Sequence, residues 1–333
     1  MKKILSITVI SLATMGLGLI ATSCKTDGLE EKSIGELDKE WNSDLPDGYR
    51  PKTVGQIRYI YKNNGKLDVI RINGVEYDVN SKTITVQEGT SKSEYELTFN
   101  ASNYITKIEY NFSDADQAEE YNEKGKGTIK LSYSIDDQVN KITTTYSSEG
   151  TDEGENFSFD SEAEIEYTYS TLHMRRVKLT NKSTEVWGGE KETTRSTTNI
   201  GFEFNDDLDY LNHYNQWTPN LVLYTMFNDP QDIFGALAYI GVFGRATIQL
   251  PEKIIVEVSG NSSVEGDYTK NDTYRCHYEK NTYGAIREAD GITYSYTNED
   301  EEYEVKAFVD AEAPAAQPAK APRFNLFVHR GNK

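Results

Sequence analysis

The stretch IKLSYSIDDQVNKI, residues 129–142, alternates, turns and alternates again. Ile129, Leu131, Tyr133 and Ile135 fall on one side of the first run; Lys130, Ser132 and Ser134 fall on the other. A period of two belongs to a strand with one buried and one wetted face. Asp136-Asp137 marks a tight turn, since both residues tolerate the left-handed backbone that turns require.

The unit recurs. YKNNGKLDVI (61–70), FNASNYITKI (99–108) and YSIDDQVNKI (133–142) each carry an aromatic, an aliphatic residue six positions on, and an isoleucine three later. The spacing predicts a strand ending on an aromatic, a polar turn, and a strand re-entering the same face. EIEYTY (164–169) alternates likewise through Ile165, Tyr167 and Tyr169. Asn63-Asn64-Gly65, Asn73-Gly74 and Asp290-Gly291 read as further hairpin turns. Sequential hairpins of this kind make an antiparallel meander. Three copies spaced 38 and then 34 residues apart are too few for a closed solenoid.

The alternation fails from about 205 to 244. There Asp229-Pro230 reads as the N-cap and first residue of a helix. Ile233, Leu237, Ile240 and Gly241 follow at helical spacing, with Phe234, Ala238 and Phe243 at the sides. A helix apolar nearly all round is a buried one, and at about 12 residues it is too short to cross a bilayer. Strands resume at 252–260, 272–279, 292–297 and 302–309. The fold class expected is mainly β. A long antiparallel meander forms a curved sheet or partly closed barrel, with one short helical insertion on its concave face.

The ends of the chain give an address. Lys2 and Lys3 precede an uncharged, mostly apolar run from Ile4 to Ile20, the pattern of a secretory signal peptide. Ser6, Thr8, Ser11 and Thr14 interrupt that run, which argues against a membrane-spanning helix. Ala21-Thr22-Ser23 before Cys24 resembles the lipobox of bacterial lipoproteins, with Ala21 in place of the usual leucine. That resemblance implies cleavage before Cys24 and lipidation of it, and several acyl chains anchor stably where one does not. An ordinary signal peptide with a chance cysteine is the alternative. Residues 1–23 are then the signal, 24–50 a lipidated cysteine and tether, 51–309 the β-rich domain, and 310–333 a Pro/Ala linker and tail. As a flexible coil the tether spans about 30 Å. The tail Arg323–Lys333 is basic and partly apolar, a frayed end or an added edge strand.

Composition narrows the partners. Formal charge is −19, and removing residues 1–23 with Lys2 and Lys3 takes it to −21. Such a field repels nucleic acid. With Cys24 lipidated, Cys276 alone remains, so no intrachain disulfide forms. Cys276 reads as a buried strand thiol, with His277 pointing to the other face.

Little chemistry is legible. His173, His213, His277 and His329 show no zinc spacing. GKGT (125–128) lacks a Walker arrangement and reads as a loop. Asn205-Asp206-Asp207-Leu208-Asp209 lacks the glycine and distal glutamate of an EF-hand and reads as a helix-start turn. No catalytic residue, cofactor or metal is expected. The candidate ligand-binding residues are Tyr210, His213, Tyr214 and Trp217, which share a face if helical, and Trp187, a loop-tip aromatic beside Gly188-Gly189. They read as a platform for a sugar or flat apolar ligand, or as packing of a helix on the sheet.

Lipobox, tether, aromatic-turn-aliphatic hairpins, a helical insertion ending in ATIQLPEKI (246–254) and closing Tyr-rich strands together resemble a Bacteroidetes lipoprotein family of unknown function, whose domain is porin-like. The resemblance covers about residues 52–309. It implies a meander curling toward a barrel partly filled by the helix, and it carries over no catalytic residue. A membrane-spanning porin is the variant that the Cys24 anchor and the apolar helix argue against. The functional expectation is a non-catalytic envelope lipoprotein in the outer membrane, with the cell surface favoured over the periplasmic side. It would bind or scaffold glycan, an outer-membrane partner or a host partner. A carrier holding a lipid-like ligand between sheet and helix is the alternative, and a glycoside hydrolase comes last.

Overall fold

The structure, a computed structural model, describes residues 50–297 apart from 64–66, 79–81, 89, 117–119, 171–172, 205–232, 245–249, 282–284 and 290–291. The signal, Cys24, the tether, the strand expected at 302–309 and the tail lie outside the described residues. So do the Asp229-Pro230 helix start, the 205–209 turn and Tyr210, His213, Tyr214 and Trp217.

Among the described residues, seventeen strands and one helix follow in chain order. β1 (Pro51–Val54), β2 (Ile57–Tyr61), β3 (Leu67–Ile72) and β4 (Val75–Asp78) open the chain. Next come β5 (Thr83–Glu88), β6 (Ser91–Phe99), β7 (Ile105–Asp116), β8 (Tyr121–Tyr133) and β9 (Val139–Asp152). β10 (Glu155–Ser170), β11 (His173–Trp187) and β12 (Glu190–Glu203) lead to helix α1 (Ile233–Tyr239). β13 (Lys253–Ser262), β14 (Gly266–Arg275), β15 (Tyr278–Lys280), β16 (Ile286–Ala289) and β17 (Ile292–Tyr296) close the described chain.

The strands form two antiparallel sheets. One runs β5 to β14 in sequence order; the other runs β15-β16-β17-β1-β2-β3-β4. Strand order therefore goes once round a circuit, interrupted between β4 and β5 and between β14 and β15, and no closed barrel forms. The two interruptions differ in kind. Only Cys276 and His277 separate β14 from β15, and the Cys276 N–H still donates to the Glu252 carbonyl at 2.9 Å, extending the β13–β14 ladder. β15 is thus the same run of chain after it has left one sheet for the other, a corner of the kind that joins packed sheets. Parity agrees, because β1 and β17 pair antiparallel, which seventeen strictly alternating strands would not allow. Cys276 is half-buried against the core and His277 exposed, as the alternation predicts.

The recurring hairpin unit is present at all three places. Tyr61 pairs with Leu67, Phe99 with Ile105 and Tyr133 with Val139, each next to a register shift. Ile70, Ile108 and Ile142, three residues later, are fully buried. A fourth copy, one residue shorter, pairs Tyr169 with Met174 beside the same irregularity. The tyrosines of these units do more than fill space. The Tyr133 hydroxyl donates to the carbonyl of Ile105, the start of an earlier unit's second strand. Tyr169 donates to Val139 O in the same way at 2.8 Å. Each ties one hairpin to its predecessor where a bulge has taken a carbonyl out of the ladder. Replacing Tyr133 or Tyr169 by Phe strands that carbonyl without water, and should cost about 1–3 kcal/mol each in urea unfolding. A loss below about 0.5 kcal/mol would mean the hydroxyl bond is idle.

One expectation at this unit fails. Ile135 does not continue the buried row; it is 99% exposed. Ser134 ends the strand because its hydroxyl accepts from the N–H groups of Asp136 (3.2 Å) and Gln138 (3.3 Å). That side-chain turn outcompetes one more ladder step.

α1 lies on the core face, as expected, and every one of its residues is buried. It touches both sheets. Tyr59 of β2 donates to Ala236 O at 3.0 Å, Tyr95 of β6 meets the Phe234 ring edge-on at 4.8 Å, and Tyr294 of β17 meets Tyr239 at 5.9 Å. The helix stops earlier than its apolar pattern suggests. Gly241 is not on the helical face but just beyond the end, with φ +80°. The Gly241 N–H reaches Ala238 O (3.0 Å) and the Val242 N–H reaches Leu237 O (3.2 Å). This is a Schellman close, for which glycine is suited because it lacks a Cβ.

Outward positions of the long strands are polar: Lys124, Lys126, Thr128 and Lys130 on β8, Thr143 and Thr145 on β9, Glu162, Glu164 and Glu166 on β10. A strand wall against lipid needs an apolar outer band, and a charge at its middle costs about 2–4 kcal/mol. The described outward positions of these strands form no such band.

Candidate functional site

The inner face of the ten-stranded sheet changes character along its strands. Near α1 it is aliphatic: Ile108, Ile129, Leu131, Ile142, Ile165 and Leu179. The strands run on past this core; β10 alone has 16 residues, about 50 Å. Beyond the core the same face is aromatic, hydroxylated and acidic.

Glycines and rings alternate there across the strands. Tyr110 pairs with Gly127, Phe112 with Gly125 and Phe157 with Gly150. Each ring lies where a Cβ would be, within 2.1–2.6 Å of it. GKGT is therefore strand, not loop. Its two glycines admit the neighbouring strand's aromatics, a recognised rescue of β glycines. Phe112 and Tyr146 stack across the gap at 5.7 Å.

Trp187 also departs from expectation. It is the last residue of β11, paired with Glu190 and Phe157, rather than a loop-tip residue. The hairpin turn itself is Gly188-Gly189, both with positive φ, and two such residues suffice. The indole is half-buried, stacks on Phe157 at 5.2 Å and 9°, and donates from Nε1 to Glu155 Oε2 at 2.9 Å. Tyr121 stacks on the far side of Phe157 at 6.1 Å and 13°. Three rings thus make one near-parallel run at the sheet's end.

Glu123 escaped the sequence reading. It is the one carboxylate among the buried described residues, at 2% exposure. Tyr121 O–H donates to its Oε2 at 2.5 Å and Tyr146 O–H to its Oε1 at 3.3 Å. Burial first, and after it the hydrogen bond to Glu123 for Tyr121 and the Glu123 charge for Tyr146, push both phenols well above the ordinary tyrosine range. The signal was available: counting by two from Ile129 puts Glu123 inward, opposite Gly150. Elsewhere on the inner face, Ser161 Oγ in the Tyr146 row and Asn181 Oδ1 in the Ala163 row are buried with no hydrogen-bond partner.

Among the described residues no group of side chains is arranged to hold a metal ion. A groove of about 180 Å³ lies on the opposite, outer face between Lys107, Glu109, Thr128, Lys130, Thr143 and Thr145.

Comparison with known protein families finds no match. No curated protein matches the sequence either. Two solved structures are similar in shape. One is a porin-like protein from Bacteroides vulgatus ATCC 8482, with TM-score 0.36 and 11% identity over 75% of this chain and 93% of that one. The other is a porin-like protein from Bacteroides uniformis ATCC 8492, with TM-score 0.33 and 15% identity over 72% of this chain and 89% of that one.

Proposed function

We propose that the protein is a non-catalytic cell-envelope lipoprotein of the Bacteroidetes type, held in the outer membrane through Cys24, whose β domain binds glycan on the far inner face of the ten-stranded sheet. The observation that carries this reading is the ring run Tyr121–Phe157–Trp187. It stands beside inward hydroxyls and carboxylates, at the end of the sheet away from the apolar core. Phe157 is buried between its two neighbours, so the half-buried outer rings Tyr121 and Trp187 are the ones to pack on the apolar faces of sugars, with the polar neighbours taking up their hydroxyls. The polar outer wall and the apolar signal before Cys24 support a water-exposed body on a lipid anchor.

The carrier alternative needs an apolar volume between α1 and the sheets. The described residues there, such as Leu237, Val242 and Phe243, belong to the common buried core. No phosphate backbone suits an inner face lined with carboxylates.

Two measurements test the proposal. Mass spectrometry of the membrane-bound product should find acylated Cys24, and Cys24→Ala should release the protein from membranes; an unmodified thiol would remove the anchor from the account. On a glycan array, Trp187→Ala should lose at least tenfold in binding to whatever the native protein retains. The substitution also removes a ring contact worth about 1 kcal/mol, so melting of the variant is recorded alongside. Unchanged glycan retention by a folded Trp187→Ala variant would move the site elsewhere.

A further inference from the structure

The seven-stranded sheet holds the basic part of an acidic protein. Residues 48–78, which include β1–β4, carry six lysines and arginines against three acids, in a chain whose formal charge is −19. Ile57, Tyr59, Ile70 and Ile72 take the buried, inward positions of β2 and β3, so the residues between them face outward. One outward row runs Ser295, Thr53, Arg58, Arg71, Glu76 across β17, β1, β2, β3 and β4. Lys52 lies in the β1 bulge beside it, and Lys62 directly follows β2.

Charge in this row is not balanced. Arg58 stands directly opposite Arg71, a like-charge pairing that is unfavourable across strands. Glu76 bonds Arg71, and Asp68 meets Lys62 at 3.3 Å, but Arg58 has no acidic partner among the described residues. Thr53 and Ser295 bring two hydroxyls into the same row, 2.7 Å apart. Guanidinium forks with hydroxyls alongside fit the oxygens of a phosphate group.

The paths of the chain to and from this sheet favour a lipid phosphate. Thr297 N–H donates to Arg50 O at 2.8 Å, and Arg50 N–H donates to Thr297 Oγ1 at 2.9 Å. Arg50 directly precedes β1, and Thr297 directly follows β17. From Arg50, 26 residues lead back to Cys24, a span of about 30 Å as a coil. From Thr297, another 26 lead on to Arg323, within a stretch (313–333) that holds four lysines and arginines, Phe324 and Phe327, and no acid. An anchor at Cys24 therefore brings this sheet within reach of the bilayer.

We propose that the outer face of β1–β4 docks on an anionic, phosphate-bearing lipid surface, with residues 313–333 as a second basic contact. The proposal rests on the Cys24 anchor and adds how the body is turned on it. Arg58 and Arg71 take the headgroup phosphates, through an attraction that acts within a Debye length of the surface.

The test is lysine acetylation, read by mass spectrometry, on the full chain as isolated from membranes. Two kinds of vesicle are compared, phosphatidylcholine alone and phosphatidylcholine mixed with phosphatidylglycerol. Lys52 and Lys62 should react several-fold more slowly on the anionic vesicles, and high salt should restore them. Lys126 and Lys178, on the outer face of the long sheet, should not change. Arg58→Gln combined with Arg71→Gln should remove the protection and leave the protein on the vesicles. Equal rates for Lys52 and Lys62 on both vesicles would overturn the inference and, with the protein still vesicle-bound, leave the anchor standing. Slowing of Lys126 and Lys178 instead would overturn it too, by placing the other sheet against the lipid. Binding to anionic vesicles alone, with Lys52 and Lys62 slowed, would support this face and remove the anchor; binding to neither overturns both. The vesicle comparison uses the unsubstituted protein, so a variant that failed to fold would not blunt it.

Discussion

Leu237→Ala should lower unfolding free energy by about 2–5 kcal/mol and loosen both sheets together. Leu237 is fully buried at the middle of α1. Its neighbours anchor the helix in turn: Ala236 O accepts from Tyr59, Phe234 packs on Tyr95, and Tyr239 packs on Tyr294. Val242 O just after the helix accepts from the Ile105 N–H at 2.9 Å. The seven-stranded sheet is short-stranded, and its buried Ile57, Ile70 and Tyr294 belong to the same core as α1 and the aliphatic rows of the long sheet. Removing three carbons at the centre of that core leaves a cavity walled by strands, which relax poorly because ladders on both sides hold them. Hydrogen exchange should therefore rise in β2–β3 and in β6–β7 alike. Protection lost from one sheet only, or a cost under about 1 kcal/mol, would show that the sheets are stabilised independently and that α1 is not the joint.

How much of this was legible beforehand follows from where local rules act alone. The hairpin unit was legible because one apolar period, one turn and one aromatic agree at Tyr61, Phe99 and Tyr133. Its bulge was not, since register depends on the partner strand. Ile135 looked like a core residue because alternation cannot register that the Ser134 hydroxyl captures the turn. Gly125 and Gly127 looked like loop because glycine disfavours strands. Their use emerges only when the ring opposite each is known. The helix was read from its apolar surface, and its end was misplaced because a small residue such as Gly241 serves a helical face or a Schellman close equally well. Trp187 was found, but in the wrong setting. The inner carboxylates were missed because acids are abundant in the chain. Parity counting along each strand, not the presence of a motif, separates Glu123 and Glu192 from the outward Glu162 and Glu166.

Raising the pH above about 10 should unfold the protein cooperatively rather than titrate it group by group. Burial pushes the phenols of Tyr59, Tyr110, Tyr133, Tyr167 and Tyr169 well above the ordinary tyrosine value, with nearby tyrosines adding to the shift in all but Tyr169. In the unfolded chain these groups lose their protons near pH 10. Below that pH both states keep them, and the full stabilisation is present. Above it the unfolded state binds fewer protons than the native one, so stability falls by about 1.4 kcal/mol per pH unit for each group. Five such groups remove several kcal/mol within one unit, against a total of roughly 5–15 kcal/mol for a typical domain. The hydroxyls of Tyr59, Tyr133 and Tyr169 are also donors to backbone carbonyls, so ionising them turns a bond into a repulsion. Tyrosinate absorbance at about 295 nm should thus stay partial past pH 10. It should then jump at the pH where the far-ultraviolet β signal is lost. Full tyrosinate absorbance reached near pH 10 with the β signal intact would mean these rings meet water, and that the packing between hairpins is far looser than the structure describes.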